Sequence, residues 1–148
     1  ARQARGWLRQ NTALRQPAVQ ADNSRLTFEG ENKMKADSQF PNIITDLPQA
    51  EIPIEGLKAY LVQGSGQQVV FMTFENNAEV PEHAHEAQWG VVLEGEIELT
   101  INDKKQIFKK GEMYFVPKDV RHSAKISAGY KDITLFNQRD RYKAKTAK

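Results

Sequence analysis

Residues 96–101 read EIELTI. Ile97, Leu99 and Ile101 fall on one side of an extended chain, and Glu96, Glu98 and Thr100 on the other. This is the period-two alternation of a strand with one face in a core and one in water. Working outward, similar short pieces recur. On the C-terminal side the turn NDKK leads into KQIFKKG, and EMYFVP closes at Pro117, whose nitrogen has no hydrogen to give a ladder. KDITLF is the last strong strand, and RDRYKAKTAK reads as a frayed, solvated tail. On the N-terminal side LKAYLVQ and QQVVFMTFE flank GSG as a hairpin, with strands expected from about Ile43 onward. Many short strands, almost no helical periodicity and no solenoid or propeller repeat predict an all-β sandwich or barrel.

Length and composition bound the possibilities. At 148 residues the chain can enclose one apolar core, and a second independent domain is not expected. No apolar run approaches the length of a membrane span. No cysteine is present, which excludes disulfide scaffolds, thiolate zinc sites and cysteine nucleophiles. Imidazole, carboxylate, amide and hydroxyl remain as the available chemistry. Residues 1–33 hold 6 of the 21 basic residues, five of them arginines, but only 3 of the 19 acidic ones. This segment reads as an N-terminal extension, either a transit peptide or a stretch upstream of a start at Met34. A short strand at Arg25 to Phe28 that pairs with a neighbouring subunit is a further reading. Residues 34–148, expected to be the domain proper, carry 15 basic and 16 acidic groups and no basic stripe, so neither nucleic acid nor membrane is an expected partner. Without a secretory apolar segment or disulfides, the expected compartment is the cytoplasm.

The chain has three histidines, and two stand one residue apart in PEHAHEAQWG, residues 81–90, with the third in RHSAK. On a strand His83 and His85 project to one side, and Ala84 and Glu86 to the other. Two imidazoles so placed on the inner face of a barrel can chelate one divalent ion, whereas burial without a partner costs desolvation energy with nothing to offset it. Alone, H-x-H also describes solvated or hydrogen-bonded histidines. The wider pattern resembles the two motifs of the cupin superfamily, G-x5-H-x-H-x3-4-E-x6-G and G-x5-P-x-G-x2-H-x3-N. His83, His85 and Gly95 match the first, with Gln88 where the family has Glu. Gly111, Pro117 and His122 match the second. Asn77 replaces the leading Gly, the gap between His85 and Gln88 is short, Asp119 replaces the inner Gly and Ile126 the final Asn. All three histidines fall on motif positions, and the resemblance runs from about Leu57 to Phe136.

The resemblance implies a double-stranded β-helix, the jelly-roll barrel, with a metal held at its open end by His83, His85, Gln88 and His122. An amide ligates through a neutral oxygen, so such a site leaves a divalent ion its full charge and favours anionic small molecules. Two other arrangements stay open: the short gap keeps Gln88 off the metal, or Glu82 or Glu86 swings in, Glu86 being disfavoured by strand parity. Zn, Ni, Fe, Mn and Cu all suit imidazole and amide ligands. Tyr60 and Tyr114 are candidate proton donors. Trp89, Met72, Phe74 and Phe115 are expected to pack in the core, and Arg121 and Lys125 can attract a carboxylate.

Two functions fit. One is a metal-dependent enzyme acting on a small anionic oxygenated metabolite, by Lewis-acid isomerase or lyase chemistry or as a dioxygenase. The resemblance extends to cupins that linearise unsaturated uronates, which similarly have Gln among histidine ligands. The other is a non-catalytic module that binds a sugar or another small molecule. Single-domain cupins commonly pair, and apolar outer faces such as that of VVFMTF are consistent with a homodimer.

Overall fold

The computed structural model describes residues 40–146; the expectations for residues 1–33 and for a start at Met34 lie outside the described residues. Among these the chain forms a short helix, α1 (Asn42–Thr45), and nine strands. The strands are β1 (Leu57–Gln63), β2 (Gln68–Phe74), β3 (Ala78–His83), β4 (Gln88–Glu94), β5 (Glu96–Ile101), β6 (Lys104–Lys109), β7 (Met113–Val116), β8 (His122–Ile126) and β9 (Lys131–Phe136). Five of them form a sheet in the order β1-β2-β9-β4-β7, and four form a second in the order β3-β8-β5-β6. All pairings are antiparallel, and the two sheets make the jelly roll that the motifs imply.

The alternation in the text sets which side chains meet between the sheets. In β2, Gln68, Val70, Met72 and Phe74 point inward and are buried. In β5, Ile97 and Leu99 are buried, as EIELTI predicts. The apolar ones among these join Val92, Val116, Ala124, Ile126 and Phe136 in one cluster drawn from both sheets. The hairpin between β5 and β6 turns on Asn102 and Asp103, with φ of 47° and 63°. Two left-handed residues in a row match the right-handed twist of the flanking strands, and Asn and Asp tolerate that conformation at low cost.

Three features differ from the sequence reading. A helical turn replaces strand at residues 42–45, and the first extended contacts are the bridges Gln49 to Tyr60 and Ala50 to Ala144. The expected frayed tail is built into the barrel. Buried Gln68 donates to the Tyr142 carbonyl (2.9 Å) and accepts from the Tyr142 N–H (3.0 Å), while Glu51 and Lys145 add backbone hydrogen bonds at 2.7 Å. A buried amide needs such partners, and the tail supplies them. Finally, Trp89 and Phe115 lie on the outer face of the five-stranded sheet and are exposed, because the parity of β4 and β7 turns Gly90 and Tyr114 inward instead.

One polar cluster sits inside this core. Tyr114 and Tyr130 donate their hydroxyls to Asp132 Oδ2 at 3.2 and 3.0 Å, and Thr134 Oγ1 donates to the same oxygen at 3.1 Å. Asp132 Oδ1 is buried without a hydrogen-bond partner. Burial raises the Asp132 carboxyl to about 7, against the opposing pull of the three hydroxyls. Tyr114 reaches this cluster across Gly90, where a Cβ would lie 2.3 Å from the ring carbon Cζ.

Gly90→Ala is therefore expected to displace Tyr114 and destabilise the fold by roughly 1–3 kcal/mol, measured by chemical denaturation. Asp132 also makes stability depend on pH. Its unfolded carboxyl titrates near 4 and its folded one near 7, so its contribution is fully present below about pH 4 and is lost as pH rises through about 7. Between pH 4 and 8, wild type is expected to lose up to roughly 4 kcal/mol relative to Asp132→Asn, as followed by urea denaturation. A flat difference would contradict the assignment.

Candidate metal centre

His83 is the last residue of β3 and His122 the first of β8, and the two are register partners across that pair of strands. The ladder slips between Val80 and His83, where Pro81 lacks the N–H that continued pairing needs. His85 lies beyond the strand, in the connection to β4, so only one residue of the H-x-H pair is on a strand. Asp119, with φ of 61°, accepts the left-handed conformation at the motif's glycine position. Its N–H donates to the His85 carbonyl at 2.9 Å. Lys118 pairs with Glu86 at 2.7 Å, and Arg121 with Glu82, so both histidine-bearing loops are laced together. Both glutamates are thereby occupied on the outside, and the Arg121 hydrogen bond holds the Glu82 carboxyl below its usual range.

The imidazoles converge. Ring centroids are 5.1 Å apart for His83 and His85, 4.3 Å for His83 and His122, and 4.7 Å for His85 and His122. Their ligand nitrogens all lie within 4.8 Å of one another. The backbone fixes which nitrogens these are. Each Nδ1 contacts a main-chain carbonyl: Pro81 for His83 (2.7 Å), Glu86 for His85 (2.6 Å) and Val120 for His122 (2.8 Å). A carbonyl oxygen can only accept, so each Nδ1 carries the hydrogen and each neutral ring keeps its lone pair on Nε2. His85 Nε2 and His122 Nε2 face each other at 3.1 Å. Two lone pairs at that distance repel unless a cation lies between them.

A proton serves poorly. Burial, followed by the positive field of Arg141 and the neighbouring histidines, lowers His85 to about 4, against the opposing effect of the Glu86 carbonyl. Burial also lowers His122. Both rings are neutral near pH 7 and ready to ligate. Adjacent nitrogens on a metal at bond lengths of about 2.1 Å stand about 3 Å apart, which is the spacing of His85 and His122, and His83 lies close enough to complete a site for a divalent transition ion with a small movement.

A cavity of about 80 Å³ runs inward from the histidines between the sheets, and Gln88, Tyr114, Asp132 and Arg141 share its wall. An outer chamber of about 400 Å³ is lined by His83, His85, Gln138 and Arg141. The Arg141 guanidinium lies 4.6 Å from the Tyr142 ring centroid, and its Nε is buried without a hydrogen-bond partner. The sequence reading missed Arg141, having assigned its segment to a loose tail. The two cations it named instead are Arg121, which is exposed and paired with Glu82, and Lys125, which is exposed on β8. Tyr60 is not brought to the cavity: it projects to the outer face of β1, with its ring edge-on to Phe40 at 6.5 Å. Gln88, the first residue of β4, is brought to the histidine end.

Comparison with known proteins agrees with this architecture. The family model of the cupin domain matches residues 70–136. An RmlC-like cupin from Shewanella frigidimarina is similar, at 28% identity and a TM-score of 0.56 over 65% of this chain and 87% of that one. KdgF from a Halomonas species shares the fold at 21% identity and a TM-score of 0.54, over 62% of this chain and 87% of its own. A variant oxalate decarboxylase from Bacillus subtilis does so at 18% identity and a TM-score of 0.56, over 72% of this chain but 32% of that chain. No curated protein sequence gives a match. Two antiparallel sheets, three converging histidines and the matched segment lead to one conclusion: this chain carries a cupin domain.

Proposed function

We propose that the protein is a metal-dependent enzyme acting on a small anionic oxygenated metabolite. The observation that carries this reading is the convergence of three Nε2 lone pairs whose Nδ1 hydrogens are all committed to backbone carbonyls. His83, His85 and His122 would hold the ion, with Gln88 as a fourth, neutral ligand. When bound, the metal supplies Lewis-acid polarisation of a carbonyl, carboxylate or water oxygen, which favours isomerase or lyase chemistry over the dioxygenase alternative. Arg141, with an uncommitted buried Nε beside the histidines, draws in and orients the anionic head. Tyr114 serves as a hydroxyl at the cavity wall; burial raises it far above the usual phenol range, so it stays protonated. Tyr60, on the outer face, has no part in this reading.

A non-catalytic binding module is the second reading. The observation that favours it is that the Tyr114 hydroxyl, the acid–base candidate, is committed to Asp132. Elemental analysis of untagged protein is expected to find about one divalent transition ion per chain, reduced at least tenfold in His122→Ala. Turnover of a uronate, α-keto acid or catechol supports the enzyme. Binding without turnover supports the module, and metal-free protein that takes up no added Zn²⁺ contradicts the enzyme.

We further propose that the protein is a homodimer. Val62, Val69, Leu135, Trp89 and Phe115 are register neighbours in one row across all five strands of the larger sheet, and four of the five are exposed. A continuous apolar row of this kind favours a self-complementary partner. Sedimentation velocity is expected to show a dimer that Trp89→Glu with Phe115→Glu converts to monomer; a monomeric wild type would overturn this.

A further inference from the structure

The cavity walls narrow the ligand further than the metal centre does. Moving away from the histidines, each inward step of two residues meets Ala124 and Leu99, then Ile126 and Ile97, on the four-stranded sheet. On the facing sheet the inward steps along β9 are Phe136, Thr134 and Asp132. Phe136 stands at the histidine level, with its ring centroid 5.5 Å from that of His85. Leu57, Met72 and Val80 complete an aliphatic lining. Asp132 is four residues further along β9, or about 13 Å at the rise of an extended strand. The residue is 1% exposed, and its Oδ1 has no partner.

Three hydroxyls crowd Oδ2. Any proton on this carboxyl therefore sits on Oδ1, which donates when protonated and accepts when ionised. A hydroxyl, which both accepts and donates, suits either state. A ligand with a hydroxyl on every carbon would instead press unpaired oxygens against Leu57, Ile97 and Leu99, at roughly 1–3 kcal/mol for each buried group.

We propose that the site takes an amphipathic hydroxy acid: an anionic head at the histidines and Arg141, a short apolar body along the aliphatic walls, and a far-end hydroxyl received by Asp132 Oδ1. This deepens the proposed function and rests on it only for the placement of the head.

The test is calorimetric titration of Zn²⁺-loaded protein with straight-chain acids of about four to eight carbons, each paired with its terminal-hydroxyl analogue. At one chain length at least, the hydroxyl should tighten binding about tenfold or more. Asp132→Asn, which can still accept and donate, should keep that preference. Asp132→Leu should bind both acids of the pair alike. The inference is overturned if no chain length shows a preference, if no acid binds metal-loaded protein, or if the preference survives in Asp132→Leu. Should Asp132→Leu not fold, carbon-13 NMR of the wild-type carboxyl, assigned by its loss in Asp132→Asn, decides. A shift with the hydroxy acid but not with its plain partner supports the inference, and no difference between the two overturns it. Repeating the titration without metal separates the two ideas. Unchanged acid binding would sink the metal reading, while the hydroxyl preference would still decide the role of Asp132.

Discussion

Three hydrogen bonds from imidazole Nδ1 to backbone carbonyls set what this cavity can do. They orient the rings, choose the tautomer and leave three Nε2 lone pairs, on rings grouped closely together, open to an ion. Each acceptor is close in sequence: two residues before His83, one after His85 and two before His122. The orientation is therefore local to each histidine, while the meeting of the three depends on the fold. Burial then keeps His85 and His122 neutral, so the donors are available without prior loss of a proton.

The fold brings the distant histidine in through strand pairing. Because β3 and β8 are antiparallel neighbours, His83 and His122 stand opposite each other, and the slip at Pro81 sets which residues face at that end. The surrounding ion pairs are exposed and individually weak, so their role is to keep two loops in register, not to stabilise the fold. Deeper in the barrel the polar cluster at Asp132 has the opposite character. It is buried and incompletely satisfied, and it costs stability once ionised.

Much of this was legible in the sequence. Strict alternation in EIELTI gave a strand with the correct inward face, QQVVFMTFE was legible as a strand but, apolar on both faces, not as to which face turns inward, and the H-x-H pair with His122 picked out the three histidines that the fold brings together, because imidazole is so scarce in this chain. Arg141, which lines the cavity, was hidden. RDRYKAKTAK has the composition of a solvated tail, and only the buried amide of Gln68, remote in sequence, shows why it docks and carries Arg141 to the cavity. Asp132 was detectable in principle. The parity that places Thr134 and Phe136 inward in KDITLF places Asp132 inward as well, and a charge on a core face is a signal in its own right. Parity likewise turns Trp89 and Phe115 outward, against the general tendency of aromatic residues.

The cavity thus has an imidazole end suited to a divalent ion and an apolar body ending in a carboxyl. Both depend on the histidine tautomers. Nitrogen-15 NMR of the three imidazoles at neutral pH, before and after Zn²⁺ is added, tests them most directly. All three rings should carry hydrogen on Nδ1, and Zn²⁺ should move their Nε2 resonances together at one equivalent. Hydrogen on Nε2 in His83, His85 or His122, or a ring indifferent to Zn²⁺, would contradict the shared centre.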